Sequence, residues 1–201
     1  IADLGLQTPS LEGYLYPETY SLTYGLNAKN VVSTLVTQFK KMVHDSLRIR
    51  AQEIGWTLNE ILTLASIIEG EAMVDTEMPL ISSVYHNRLD IGMPLQADPT
   101  IQYIIPDGPR RLLYRDLEID SPYNTYKYKG LPPGPINNPG IRAIKAALYP
   151  ADTDYLYFVA NGDGTHSFSE NYSQHLRAKR RFDEYRKKVE EEKRQKERDE
   201  S

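Results

Sequence analysis

The run Leu64-Ala65-Ser66-Ile67-Ile68-Glu69-Gly70-Glu71 sets a carboxylate at the end of an almost unbroken apolar stretch. Burying an unpaired carboxylate is costly. Burial also raises its pKa, which turns a Glu into a proton donor near neutral pH. An apolar helix that delivers one acid is a setting for general-acid chemistry, and Glu69 is the candidate. The plainer alternative is a Glu that reaches water at a helix end. Further polar groups gather in Leu95-Gln96-Ala97-Asp98-Pro99-Thr100 and in Ser121-Pro122-Tyr123-Asn124-Thr125-Tyr126, beside a stiff turn, Gly130-Leu131-Pro132-Pro133-Gly134-Pro135-Ile136. Asn, Gln and Tyr side chains hydrogen-bond sugar hydroxyl and acetamido groups, and aromatic faces stack on sugar rings. The same residue types also build ordinary turns.

Glycoside cleavage ordinarily takes two carboxylates, one to protonate the leaving oxygen and one to attack or to activate water. Asp98 and Glu12 are available as a second acid, but spacing places neither. One chemistry needs a single carboxylate. If a hydroxyl of the substrate is the nucleophile, one Glu protonates the leaving oxygen and then takes the hydroxyl proton, as in lytic transglycosylation of peptidoglycan. Other reaction classes lack their residues. The histidines are His44, His86, His166 and His175, without HExxH or paired spacing, so no zinc site is expected. There is no cysteine, which excludes disulfides and thiolate ligands. GxSxG and P-loop signatures are absent, and no cofactor is expected. His166 could face a cleft, with no partner evident in the sequence.

These groups need elements to hold them. The segment from Ser10 to Tyr20 is aromatic and broken by Gly and Pro, and reads as an ordered loop or short strands. Asn27 or Asn30 caps a helix expected to run to about Arg50, with Val31, Leu35, Phe39, Met42 and Val43 on one face. Thr57-Leu58-Asn59-Glu60 matches a capping box opening a helix to about Ala72. Leu62, Ala65, Ser66 and Glu69 share a stripe of that helix, so Glu69 is expected to point inward or into a cleft. Glu71 lies about 200° around from it, and Gly70 could loosen the helix between them. A third helix is expected from Glu77 to Ile91, stopped by Gly92. Met93 to Asn138 reads as a long irregular stretch, functional or hiding short strands. Asn138-Pro139 opens a helix to about Leu148. Tyr155 to Ala160, the turn Asn161-Gly162-Asp163-Gly164 and Thr165 to Phe168 form a hairpin signal. From Ser173 the pattern is helical, fraying into a charged tail.

The chain has 201 residues, 40% of them hydrophobic, and a net charge of -4. The surplus from Ala178 to Ser201 is +2, which leaves -6 on the body. No basic patch supports nucleic-acid binding, and no window approaches the ~18 apolar residues of a membrane span. Starting at Ile1 without a signal peptide, the chain reads as an excised or processed piece. The expected fold class is α+β, a helical catalytic core with a β-rich loop and hairpin region forming the cleft. The expected division is 1–177 for that domain and 178–201 for the charged helix or tail.

Together the motifs resemble the catalytic domain of the YceG-like endolytic murein transglycosylases. The resemblance runs from about Leu11 to Arg181 and rests on the order and spacing of the segments quoted above, with Leu11-Glu12-Gly13-Tyr14-Leu15-Tyr16-Pro17-Glu18-Thr19-Tyr20, Val84-Tyr85-His86-Asn87-Arg88-Leu89 and Tyr155-Leu156-Tyr157-Phe158-Val159-Ala160. It implies a bacterial lyase of cell-wall biogenesis. It would cut nascent peptidoglycan strands between N-acetylmuramic acid and N-acetylglucosamine and leave a 1,6-anhydro end. It implies Glu69 as acid and then base, and Gln96, Tyr123, Asn124 and Tyr126 along the glycan cleft, with Glu12 and Asn87 as further candidates. Arg88 is a candidate structural pair for Asp98. The resemblance also implies cell-wall synthases as partners. A parent protein would be anchored by one membrane helix, with this domain on the extracytoplasmic face. His86 and Gly70 depart from the family pattern. The rival expectations are a muramidase using water and a second carboxylate, and a glycan-binding scaffold without catalysis.

Overall fold

The computed structural model describes residues 5–6, 8–106 and 108–199. Its centre is α3 (Leu58–Glu71), in which every residue from Ile61 to Ile68 is buried. A helix with no solvent-facing side must be wrapped by neighbours. Those neighbours are α2 (Asp45–Glu53), α4 (Met78–Asp90), α5 (Asp98–Ile104) and α6 (Ile141–Leu148), with α6 the most extensively packed. The expected capping box opens α3: Thr57 Oγ1 accepts the Glu60 N–H, and the Glu60 carboxylate accepts the Thr57 N–H at 2.7 Å. The helix then continues without interruption through Gly70 to Glu71.

The helix expected from Asn27 to about Arg50 is two helices. α1 (Ala28–Met42) is capped by Asn27, and α2 starts again at Asp45. At the break, Ser46 Oγ bonds His44 Nδ1 at 2.9 Å. Short polar side chains that find local partners compete with helix continuation. The aromatic segment before α1 is a loop, with Tyr14 and Tyr16 buried. Asn138 Oδ1 fixes it by accepting the N–H groups of Gly13 and Leu15 at 2.9 and 3.0 Å.

The stretch after Gly92, expected to be a functional loop or to hide short strands, holds a helix. α5 has seven residues, too short for an apolar period to show. A single 3₁₀ turn, Tyr114–Glu118, follows it. Arg110 grips Asp116 there through two hydrogen bonds of 2.7 and 2.8 Å, holding the Asp116 carboxyl down to about 2.

The hairpin is as expected. β1 (Tyr157–Ala160) and β2 (His166–Ser169) pair antiparallel, with Tyr157 opposite Ser169 and Ala160 opposite His166. Its turn leans on α7 (Tyr172–Asp199). A Cβ on Gly162, at φ +94°, would sit 2.3 Å from the Tyr185 ring, so only glycine fits. α7 crosses the expected boundary after residue 177 without a break and packs on both strands. The architecture is α+β, the sheet among the described residues being this hairpin.

Candidate active site

The last turn of α3 presents two carboxylates to different surroundings. Glu69 is exposed, so of the two settings expected of it, inward or in a cleft, it does not take the first. Its carboxylate accepts the Gly140 N–H at 3.2 Å. Gly140 is the N-cap of α6, so Glu69 places negative charge at the positive end of that helix. Glu71 is half-buried against α4 and α5. Tyr85, itself buried, donates its hydroxyl to Glu71 Oε1 at 3.0 Å, and the Asp98 N–H donates as well. Burial and then the Asp98 charge push the Glu71 carboxyl up to about 7, against the opposing pull of those two donors and of Arg88. Gly70 separates the acids at a tight contact. A Cβ there would lie 2.8 Å from the Pro99 side chain.

Glu71 and Asp98 lie where two arms of a groove meet. One arm, of about 580 Å³, runs past Pro99, Tyr103, Ile136 and Asn137. The other, of about 420 Å³, runs past Arg88, Gln96 and Tyr126 to the hairpin and α7. Tyr126 donates its hydroxyl to the Asp98 carboxylate. Gln96 holds a left-handed backbone, φ +50°, a strained conformation for a non-glycine residue. A chain laid along both arms would pass over the Glu71 carboxyl at their junction. Among the described residues, no cluster of three or more His, Asp or Glu is placed to hold a metal ion.

The sequence pattern of the YceG-like family matches residues 2–181. The chain belongs to the YceG-like family. An endolytic murein transglycosylase of Bacillus subtilis is 41% identical over 173 residues, covering 86% of this chain and 48% of the relative. One from Streptococcus pneumoniae is 35% identical over 174 residues, covering 83% of this chain and 31% of the relative. The crystal structure of a yceG-like protein from Listeria monocytogenes superposes with a TM-score of 0.77 at 43% identity, covering 83% of this chain and 55% of that one. The chain therefore spans about half, or less, of the length of these relatives.

Within this family member, the expected site residues divide. Gln96 and Tyr126 line the groove. Asn124 is fully buried. Its amide donates to the Leu117 and Ile119 carbonyls, and its Oδ1 accepts the Tyr126 N–H, so it positions Tyr126 without facing substrate. Asn87 spends both amide hydrogens on the carbonyls of Thr153 and Tyr155, tying the approach to β1 onto α4. Tyr123 packs on Tyr103 at 4.9 Å, one ring behind the first arm, with Glu12 near it; neither lines either arm. Arg88 does not pair with Asp98. It donates to the carbonyls of Leu156 and Leu95 at 2.7 and 2.6 Å. His86 is structural: its ring stacks on Trp56 at 4.8 Å, and Nε2 donates to the Ala147 carbonyl. His166 faces the second arm, paired with Glu77 at 2.8 Å.

Sequence reasoning missed Glu71 as the buried acid, and Tyr85, Tyr103, Asn137 and Lys179 as groove or support residues. A usable signal for Glu71 was Tyr85 in the quoted α4 motif. That tyrosine needs a partner for its hydroxyl when its ring is buried.

Proposed function

We propose that this domain is an endolytic peptidoglycan lytic transglycosylase, with Glu71 as its single acid and base in place of Glu69. The observation that carries the reading is the half-buried Glu71 carboxyl, pushed up to about 7 at the junction of a two-armed groove. Such a group holds its proton near neutral pH and releases it readily, which general-acid and then general-base work requires. The names of the relatives support the same activity.

In the reaction, a strand lies along the groove with the bond between N-acetylmuramic acid and N-acetylglucosamine over Glu71. Glu71 gives its proton to the glycosidic oxygen as the C1–O bond breaks, and the N-acetylglucosamine side leaves as an alcohol. The carboxylate then takes the proton from the muramyl C6 hydroxyl as O6 bonds to C1. A 1,6-anhydro end forms, no water is consumed, and Glu71 is again protonated. Asp98 keeps Glu71 from ionising early, and Tyr85 holds the carboxyl in place.

Asp98 lines the same groove, so hydrolysis with Asp98 as second carboxylate is the competing reading. Mass spectrometry of ends released from uncrosslinked glycan decides between them. Ends short by one water support transglycosylation, whereas reducing ends in their place overturn it. Such a substrate lies outside the cytoplasmic membrane, so the domain works there, on nascent strands beside the synthases that make them, within an anchored parent protein. Among the described residues no helix is long and apolar enough to cross a membrane.

A further inference from the structure

The two arms of the groove differ in charge. The arm beside Tyr103 carries no ionisable acid or base except that tyrosine and the shared Glu71 and Asp98. It does carry an unused acceptor. Asn137 donates its amide to the Ser66 carbonyl at 2.8 Å, while its Oδ1 is buried without a partner. Buried polar atoms are almost always bonded, so an orphan in a groove wall marks a place for a ligand donor. The hydroxyls and acetamido N–H of an uncharged sugar are such donors.

The second arm is lined by Arg88, His166, His175 and Lys179. The carboxylates on this lining are Glu71 and Asp98, and Glu71 accepts from Tyr85; Glu77 stands behind His166. Glu77 pairs with His166, and Asp98 accepts from Tyr126. The Arg88 guanidinium donates to backbone carbonyls, lies over the Tyr157 ring at 5.4 Å and makes no salt bridge, its nearest carboxylate influence being Glu71. Lys179 is exposed on α7 and has no carboxylate partner among the described residues. His175 stacks on the same Tyr157 ring at 5.2 Å, and its Nδ1 is buried without a partner. This arm holds a lysine with no carboxylate partner, a guanidinium in no salt bridge and an imidazole nitrogen without a partner, and a bound anion would satisfy them.

We propose that the second arm takes a carboxylate of the peptide stem carried by a muramyl residue, so that stem-bearing strands are cut in preference to bare glycan. The inference rests on the peptidoglycan reading above. The neutral arm receives sugar alone, and the cationic arm reads the stem and sets the direction in which the strand lies.

The test compares one uncrosslinked glycan preparation with its stems intact and after an amidase has removed them. Wild-type kcat/KM is expected to be about 10-fold higher on stem-bearing strands, the size of one charge-assisted hydrogen bond. In Lys179→Gln that ratio is expected to fall to about 1. No preference in the wild type, or an unchanged preference in Lys179→Gln, overturns the inference and leaves the glycan-cleaving reading standing. Failure to cut either preparation overturns that reading and this inference with it. A binding experiment is independent of turnover. Burial, Lys179 and Arg88 all push the His175 pKa down. A soluble stem-bearing muropeptide added to Glu71→Gln should raise the His175 pKa seen by NMR, and the stem-free disaccharide should not. An equal response to both overturns the inference.

Discussion

The two faces of the last turn of α3 carry the same side chain in opposite circumstances. On one face Glu69 stands in water and serves the N-terminus of α6. On the other, two residues on, Glu71 is enclosed by α4 and α5 beside a second carboxylate. What separates an enclosed glutamate from a surface one here is supplied by Tyr85, Asp98 and Pro99, which come from elements that follow α3 in the chain. Residue type and helical position do not supply it.

The comparison breaks most visibly at Glu71 itself. Glu71→Gln should lower the rate of glycan cleavage by ~10²–10⁴-fold. The same substitution should change how stability depends on pH. The folded-state value of Glu71 is raised, so the stability it contributes is present in full below the unfolded value near 4.5 and is lost as pH rises through about 7. The melting temperature of Glu71→Gln relative to wild type should therefore be higher at pH 8 than at pH 5. Next comes the contact that keeps the faces apart. Gly70→Ala drives a Cβ into Pro99. It should cost about 1–3 kcal/mol in thermal or denaturant unfolding and reduce turnover, because α5 carries Asp98.

The neighbours of Glu71 should then act with opposite signs. Asp98→Asn removes a repelling charge, so the alkaline limb of the kcat/KM profile should move to lower pH. Tyr85→Phe removes a hydrogen bond that favours the carboxylate, so the limb should move to higher pH. Shifts in the same direction would contradict the assigned causes. The smallest effect belongs to the other face. Glu69→Gln weakens one hydrogen bond at a helix start and should cost about 0.5–1 kcal/mol of stability, with turnover within about threefold of wild type.

Much of the scaffold was legible. The Thr57–Glu60 box, the Gly92 stop and the hairpin turn are local signals, and each reads the same in sequence and in structure. The choice between the acids was not legible. Ile61 to Ile68 are all buried, so the apolar period that should reveal an inward face carries no phase. α5 escaped notice because seven residues beginning Asp98-Pro99 look like loop. Asn87 and Asn124 looked like sugar binders, but their amide hydrogens serve backbone carbonyls, in Asn87 as far as 68 residues away in sequence. Those partners exist only once the chain has folded.

The central claim is that the fold makes Glu71, and not Glu69, a proton donor near neutral pH. Carbon-13 NMR of the glutamate carboxyls, assigned with Glu71→Gln and Glu69→Gln, measures this directly. The account predicts a carboxyl resonance that titrates at about 7 and disappears in Glu71→Gln. It is contradicted if the resonance lost in Glu71→Gln titrates in the ordinary carboxylate range, or if the resonance near 7 disappears in Glu69→Gln instead.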